Sequence, residues 1–248
     1  MRRFLHEVRV QQLVFWRSKE AALFIFLFPL LLFVLLAAIY GETIDGVPAP
    51  QVLLAGLIAY GCANTAFAGL AIQLVVRREL GILKRQRATP LPASTYLAAT
   101  LTSTLIVFSL QTVALFVIGR LFYGTPFPDE IGSLIPAIIL GAVVFAALGI
   151  AAASLIRSAE GSSAVVNFIL LPMAFLTGAF GPTENFGAFL RAIGALLPLK
   201  YFVDIVNAVY LRGQAIWTKP GAIAVLLAWG ATGMVVAALK FRWEPRGT

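Results

Sequence analysis

Six apolar runs without a single Asp, Glu, Lys or Arg dominate the chain: residues 21–40, 52–76, 96–119, 131–156, 162–180 and 221–239. A bilayer's hydrocarbon core is about 30 Å thick, so a crossing helix needs about 20 apolar residues at about 1.5 Å each. Each run meets that length. Only 12% of the residues are charged and 60% are hydrophobic, whereas a soluble globule carries about a quarter charged residues. There is too little polar surface to coat a globule of this size. The expected fold is therefore an all-α integral membrane domain of six spans over residues 21–240. Pro29, Pro136 and Pro172 fall inside runs and predict kinks in a packed bundle, where neighbours satisfy the freed carbonyls.

The first run follows 20 mixed residues and is 20 long, unlike the 7–15-residue core of a signal peptide. It is expected to be a retained anchor. Residues 1–20 place Phe4, Leu5, Val8, Phe15 and Trp16 at helical spacing, interrupted by Gln12. An amphipathic interfacial helix is expected there, against the simpler reading of a basic flank.

The net charge is +8. In a soluble protein this would raise nucleic-acid binding, but here the cations flank the apolar runs, as membrane topology requires. With both termini inside, 14 of the 19 cations lie on the inner side. The order then puts residues 77–95 and a tail at 241–248 in the cytoplasm, in a plasma (inner) membrane protein with anionic lipid as a contact. Residues 182–212 hold two segments too short to span, split by Pro198. They are expected to be re-entrant half-helices on the outer face. The rival, a seventh span, would bury Arg191, Lys200 and Asp204 in lipid at several kcal/mol.

Several chemistries are excluded. No Gly is followed by Lys, so there is no P-loop. G-x-S-x-G and H-E-x-x-H are missing, as are intramembrane carboxylates of the kind that proton-coupled pumps use. The lone Cys62 and lone His6 make no disulfide and no metal set. No catalytic, cofactor or metal site is expected.

One dense knot of charge remains, "RRELGILKRQRATPLP" at residues 77–92. Residues 77–87 favour helix, and Thr89-Pro90-Leu91-Pro92 closes it with a stiff extended exit. A short helix of mixed apolar and charged groups suits docking on another protein. Pattern alone leaves a plain positive-inside loop equally open.

The string resembles the first cytoplasmic loop of type-2 ABC exporter permeases, the class that includes daunorubicin-resistance permeases, which reads roughly E-R-G-T-L-E-R-L-R-A-T-P-L-P. Glu79, Gly81, Leu83, Arg85, Arg87, Ala88, Thr89, Pro90, Leu91 and Pro92 match it; Leu80, Ile82, Lys84 and Gln86 depart. Lys84 replaces an acid, which alters the charge pairing expected with a partner. Gly178, Phe180 and Pro182, then Pro198, Leu199 and Asp204, resemble the family's stretches before its last span. The resemblance implies a coupling helix that seats on a separate ABC ATP-binding subunit, present in two copies. ATP and Mg belong to that subunit, and this chain pairs with a second permease as a homodimer or heterodimer. The docking residues implied are Arg78, Glu79, Leu80, Gly81, Ile82, Leu83, Lys84 and Arg87.

Uncharged polar residues in the spans, Asn64, Gln73 and Asn167, with Phe175, are candidates for the substrate path and dimer seam. Small residues at Ala55, Ala59 and Ala63 permit close helix approach. Phe180, Pro182, Pro198 and Tyr201 are candidates for an outer gate, although boundary aromatics are also ordinary anchors. The expected function is the permease subunit of an ATP-driven exporter for a hydrophobic or amphiphilic solute such as a drug, natural product or lipid. The alternatives are a permease for a lipid-linked glycan, a non-transporting scaffold for a cytoplasmic partner, and an autonomous channel.

Overall fold

The computed structural model describes residues 2–89 and 91–244; Pro90 of the predicted stop, and Arg246 with the rest of the tail from 245, lie outside them. Eleven α-helices run through these residues: α1 (Arg2–Arg17), α2 (Lys19–Tyr40), α3 (Ala49–Cys62), α4 (Leu70–Glu79), α5 (Ile82–Arg87), α6 (Ala93–Tyr123), α7 (Ile131–Leu155), α8 (Ala159–Leu176), α9 (Ala188–Leu196), α10 (Pro198–Tyr210) and α11 (Pro220–Lys240). Six candidate spans are present, because α3 and α4 are joined through a π-helical segment, Ala63–Gly69, into one long helix. The protein is an all-α integral membrane protein. Observed helices overrun the predicted spans, as in Ala49–Glu79 and Ala93–Tyr123. Capping and charged residues prolong a helix beyond the apolar stretch that sequence reading detects.

The α3–π–α4 helix is the axis of the bundle, flanked by α2, α6, α7, α8 and α10. Its residues 53–68 are buried without interruption. Ala55, Ala59 and Ala63 are fully enclosed, so the close approach expected of small residues is realised. Backbone meets backbone closely at two glycines. A Cβ on Gly56 would meet the Ala179 carbonyl, and one on Gly149 of α7 would meet the carbonyls of Ala66 and Phe67 in the π segment.

Between α2 and α3 a two-residue hairpin pairs Thr43 with Pro48 and Ile44 with Val47. Asp45 and Gly46 both take positive φ, 49° and 77°, the I′ geometry that Asp-Gly favours. It caps one face of the bundle. The 124–130 loop shares that face, because Tyr210 Oη donates to the Pro126 carbonyl at 3.0 Å. So does the 177–187 turn, where Gly181 abuts the Tyr40 ring. The opposite face holds α1, the 80–92 loop and the α7–α8 link. Trp243 lies against Tyr96 there, with ring centroids 6.0 Å apart and the rings tilted by 58°. The described ends of the chain therefore share a face.

The α9–α10 pair is bent by 84°. Pro198, at the first position of α10, cannot donate a helical hydrogen bond and forces Leu197 to be extended. This is two short helices at a corner rather than a straight seventh span.

Two local readings need correction. Residues 77–87 are not one helix. Gly81 takes φ 68°, a left-handed conformation that glycine adopts freely, and it separates α4 from α5. In α1, Leu5 and Trp16 face outward while Phe4, Val8 and Phe15 turn toward the bundle. Gln12, read as an interruption, is an anchor: its Nε2 donates to the Ser103 carbonyl at 2.9 Å and to Ser103 Oγ at 2.8 Å.

Candidate functional site: the braced loop between the second and third spans

The loop at 77–92 is held to the bundle from below. Arg78 is 1% exposed. Its guanidinium donates to the carbonyls of Ala153 at 2.8 Å and Ile156 at 2.7 Å. These sit at the C-terminus of α7, where the last four carbonyls lack helical partners and the helix dipole favours a cation. A planar, always-charged fork is the side chain suited to two acceptors at once. Next to it, Arg77 donates to Tyr96 Oη on α6 at 2.9 Å. On α5, Leu83 is fully buried.

The opposite side of the loop is open. Leu80 is 61% and Ile82 39% exposed, with Glu79, Lys84, Arg85 and Arg87 exposed around them. Arg85 also donates to the Leu80 carbonyl at 3.1 Å, which closes the turn at Gly81. The surface is therefore two apolar side chains in a ring of mostly basic charge. It continues into a crevice of about 500 Å³ between α1 and the loop, lined by Arg2, Arg3, His6, Glu7, Gln86, Thr89 and Leu91.

Of the eight docking residues read from the sequence, Glu79, Leu80, Ile82, Lys84 and Arg87 are exposed and Gly81 is half-buried at the turn. Arg78 and Leu83 are not on that surface. They are the bolts beneath it. Arg85 belongs to the exposed set and was not among the eight; its match to the family string was the available signal.

The path residues are divided. Asn64 lies in the π segment and is buried within the bundle. Gln73 is half-buried on α4. Asn167 and Phe175 lie exposed on α8, with Asn167 Nδ2 donating to the Ser163 carbonyl of its own helix at 2.9 Å. The polar contact at the bundle's centre lies outside the four path residues: Thr65 Oγ1 donates to Gln111 Oε1 at 3.0 Å, with Gly61 against the same amide; Gln111 is a polar span residue on an interior face, and Thr65 carried no signal of its own.

The four outer-gate residues also separate. Phe180 is buried between Tyr60, at 4.8 Å, and Phe175, at 5.0 Å. Pro182 is half-buried in the turn beyond it. Pro198 is buried at the α9–α10 corner, and Tyr201 Oη donates across that corner to the Ala195 carbonyl at 2.7 Å. Asp204 is paired with Lys200 at 2.7 Å.

An axial span enclosed by five helices, with a braced and exposed basic loop at one face, describes a multi-pass membrane protein. The ABC-2 type transporter family model matches residues 3–211, and the chain belongs to that family. It is similar to the inner membrane transport permease YhhJ of Escherichia coli K12, at 24% identity over 68% of this chain and 46% of that protein. It is similar to the probable multidrug ABC transporter permease YbhR of the same organism, at 22% over 64% and 44%. The putative transport permease YvfS of Bacillus subtilis 168 is 25% identical over 71% of each chain. The matched region thus spans just under half of the two E. coli relatives. The protein is a multi-pass membrane member of that family.

Proposed function

We propose that this chain is the permease subunit of an ATP-driven exporter, docked through α5 on a separate ATP-binding subunit. Permeases of this family generally work with such subunits, and this sequence has no P-loop of its own. The observation that carries the reading is the two-sided loop: Leu80 and Ile82 are exposed in a basic ring, while Arg78 and Leu83 tie the same loop to α7 and the core. A push on the exposed side is delivered to the axial helix and to the α7–α8 link without slack. Two ATP-binding subunits, each holding one permease, would close against the pair.

The substrate proposed is hydrophobic or amphiphilic, since the spans carry no charge. The similarity to a relative named as a probable multidrug permease supports this class. The exposed face of α8 with Asn167 and Phe175 is the proposed seam with the second permease. The α9–α10 corner is proposed as a re-entrant element of the outer leaflet, with the Phe180 cluster closing the outer end. The relative named as an inner membrane permease and the excess of cations on the loop face support a plasma membrane location with the termini in the cytoplasm.

The test is affinity purification from native membranes in mild detergent, comparing the normal chain with a Glu79→Ala, Ile82→Asp double variant. Both positions are exposed, so the variant keeps its fold. A P-loop ATPase that comes down with the normal chain and not with the variant is the expected result. Retention of the ATPase by the variant overturns the docking assignment. ATP hydrolysis stimulated by an amphiphile in the reconstituted complex separates an exporter from a scaffold.

A further inference from the structure

A groove of about 710 Å³ lies between α7, α8 and α11, away from the docking loop. Its walls are almost wholly hydrocarbon, from Leu148 and Ala152 on α7, Val165 and Ile169 on α8, and Trp229 and Val236 on α11. It runs along α8 from Gly161 to Met173, about 18 Å at helical rise, close to half the thickness of a bilayer core. Its end on the α1 and 80–92 face is cationic. Arg157 and Ser158 line that end, and Lys240 stands one helical turn beyond Val236. Arg157 is exposed, and among the described residues no hydrogen bond or ion pair engages it. The acid nearest in sequence, Glu160, is also exposed on the first turn of α8.

We propose that this groove is a binding site for one anionic phospholipid of the leaflet that meets the 80–92 face. One acyl chain lies along α8 between α7 and α11. The headgroup phosphate sits at Arg157, within reach of Lys240. The charge fits that occupant: basic pockets between membrane helices on the cytoplasmic side attract anionic headgroups, and a neutral lipid would leave Arg157 without its counter-charge. The site goes beyond the export reading and does not depend on it.

The experiment reconstitutes the purified chain in phosphatidylcholine vesicles doped with phosphatidylglycerol that carries a photoactivatable diazirine midway along one acyl chain. Labelled residues are mapped by peptide mass spectrometry. Label is expected on α7, α8 and α11 around Ala152, Val165 and Val236. Unlabelled phosphatidylglycerol should compete about fivefold better than phosphatidylcholine, the factor one surface cation supplies. Arg157→Ala should bring that ratio close to one, and Arg157→Lys should keep most of it. Val165→Trp, at a partly exposed position, should fill the groove and abolish the label while thermal unfolding stays unchanged. Label absent from these helices, equal competition by the two lipids with the normal chain, or full labelling of a folded Val165→Trp chain overturns the proposal. So does competition by inorganic phosphate alone. Cross-linking of a Val165→Cys chain to a second copy, with no lipid label, would assign the groove to a permease partner instead.

Discussion

Two neighbouring side chains in one loop, Ile82 and Leu83, have opposite duties. Leu83 is fully buried and Ile82 is 39% exposed. An aspartate at each position should separate stability from docking. Leu83→Asp buries an unpaired carboxylate, which costs several kcal/mol, and should lower the yield of folded protein in size-exclusion chromatography. Ile82→Asp should leave that yield unchanged and lose the ATP-binding partner in pull-down. Arg78 permits a second comparison. Arg78→Leu leaves the carbonyls of Ala153 and Ile156 without their donor, a loss of about 1–3 kcal/mol, which a lowered thermal transition in detergent should report. Arg78→Lys should recover only part of it, because an ammonium cannot span both carbonyls as a planar fork does. The ion pair of Lys200 and Asp204 belongs to the other extreme. Both partners are about one-third exposed, so Asp204→Asn should shift the same transition little, by about 0–1 kcal/mol.

At the scale of elements, the spans were legible because the absence of charge over 20 residues is a property of the string alone. The corner at Pro198 was legible for the same reason: proline acts on its own backbone. The π segment was not. Its seven residues, ANTAFAG, read as ordinary small and polar membrane sequence, and the helix that packs closely on it, α7 at Gly149, lies about 80 residues further along. The burial of Arg78 was equally hidden, since its acceptors lie about 75 residues further along. An arginine beside a basic loop has every local reason to face water. Asn64 was read as a candidate for the substrate path and dimer seam because a polar residue in a span prefers an interior face; within the chain itself it is already enclosed by the bundle. The π segment carries a test. Gly149→Val would drive a branched side chain into the carbonyls of Ala66 and Phe67, and overpacking of this kind costs about 1–3 kcal/mol. The variant should unfold at lower temperature, whereas Gly132→Ala, which meets open space on the same helix, should not.

For the whole molecule, the placement of both described ends on one face is open to chemical test. Cys62 is fully buried, so the normal chain should resist a membrane-impermeant maleimide. Single cysteines at Lys84 and Glu244, both exposed, should label from the same side, and one at Glu184 from the other. Labelling of Glu244→Cys together with Glu184→Cys would make α9 and α10 a seventh crossing. The enclosed axial span also has a consequence for the order of synthesis. The helix on which the others lean is made second, yet it shares with α8 the lowest mean hydropathy of the six. The helix that covers its α3 half, α10, emerges roughly 10–30 s later at ordinary elongation rates. Earlier in that interval, until α7 follows, Asn64 and Thr65 in the π segment lack the helix that packs most closely against them. The second span is therefore the one that must wait, held at the edge of the insertion machinery until its casing arrives.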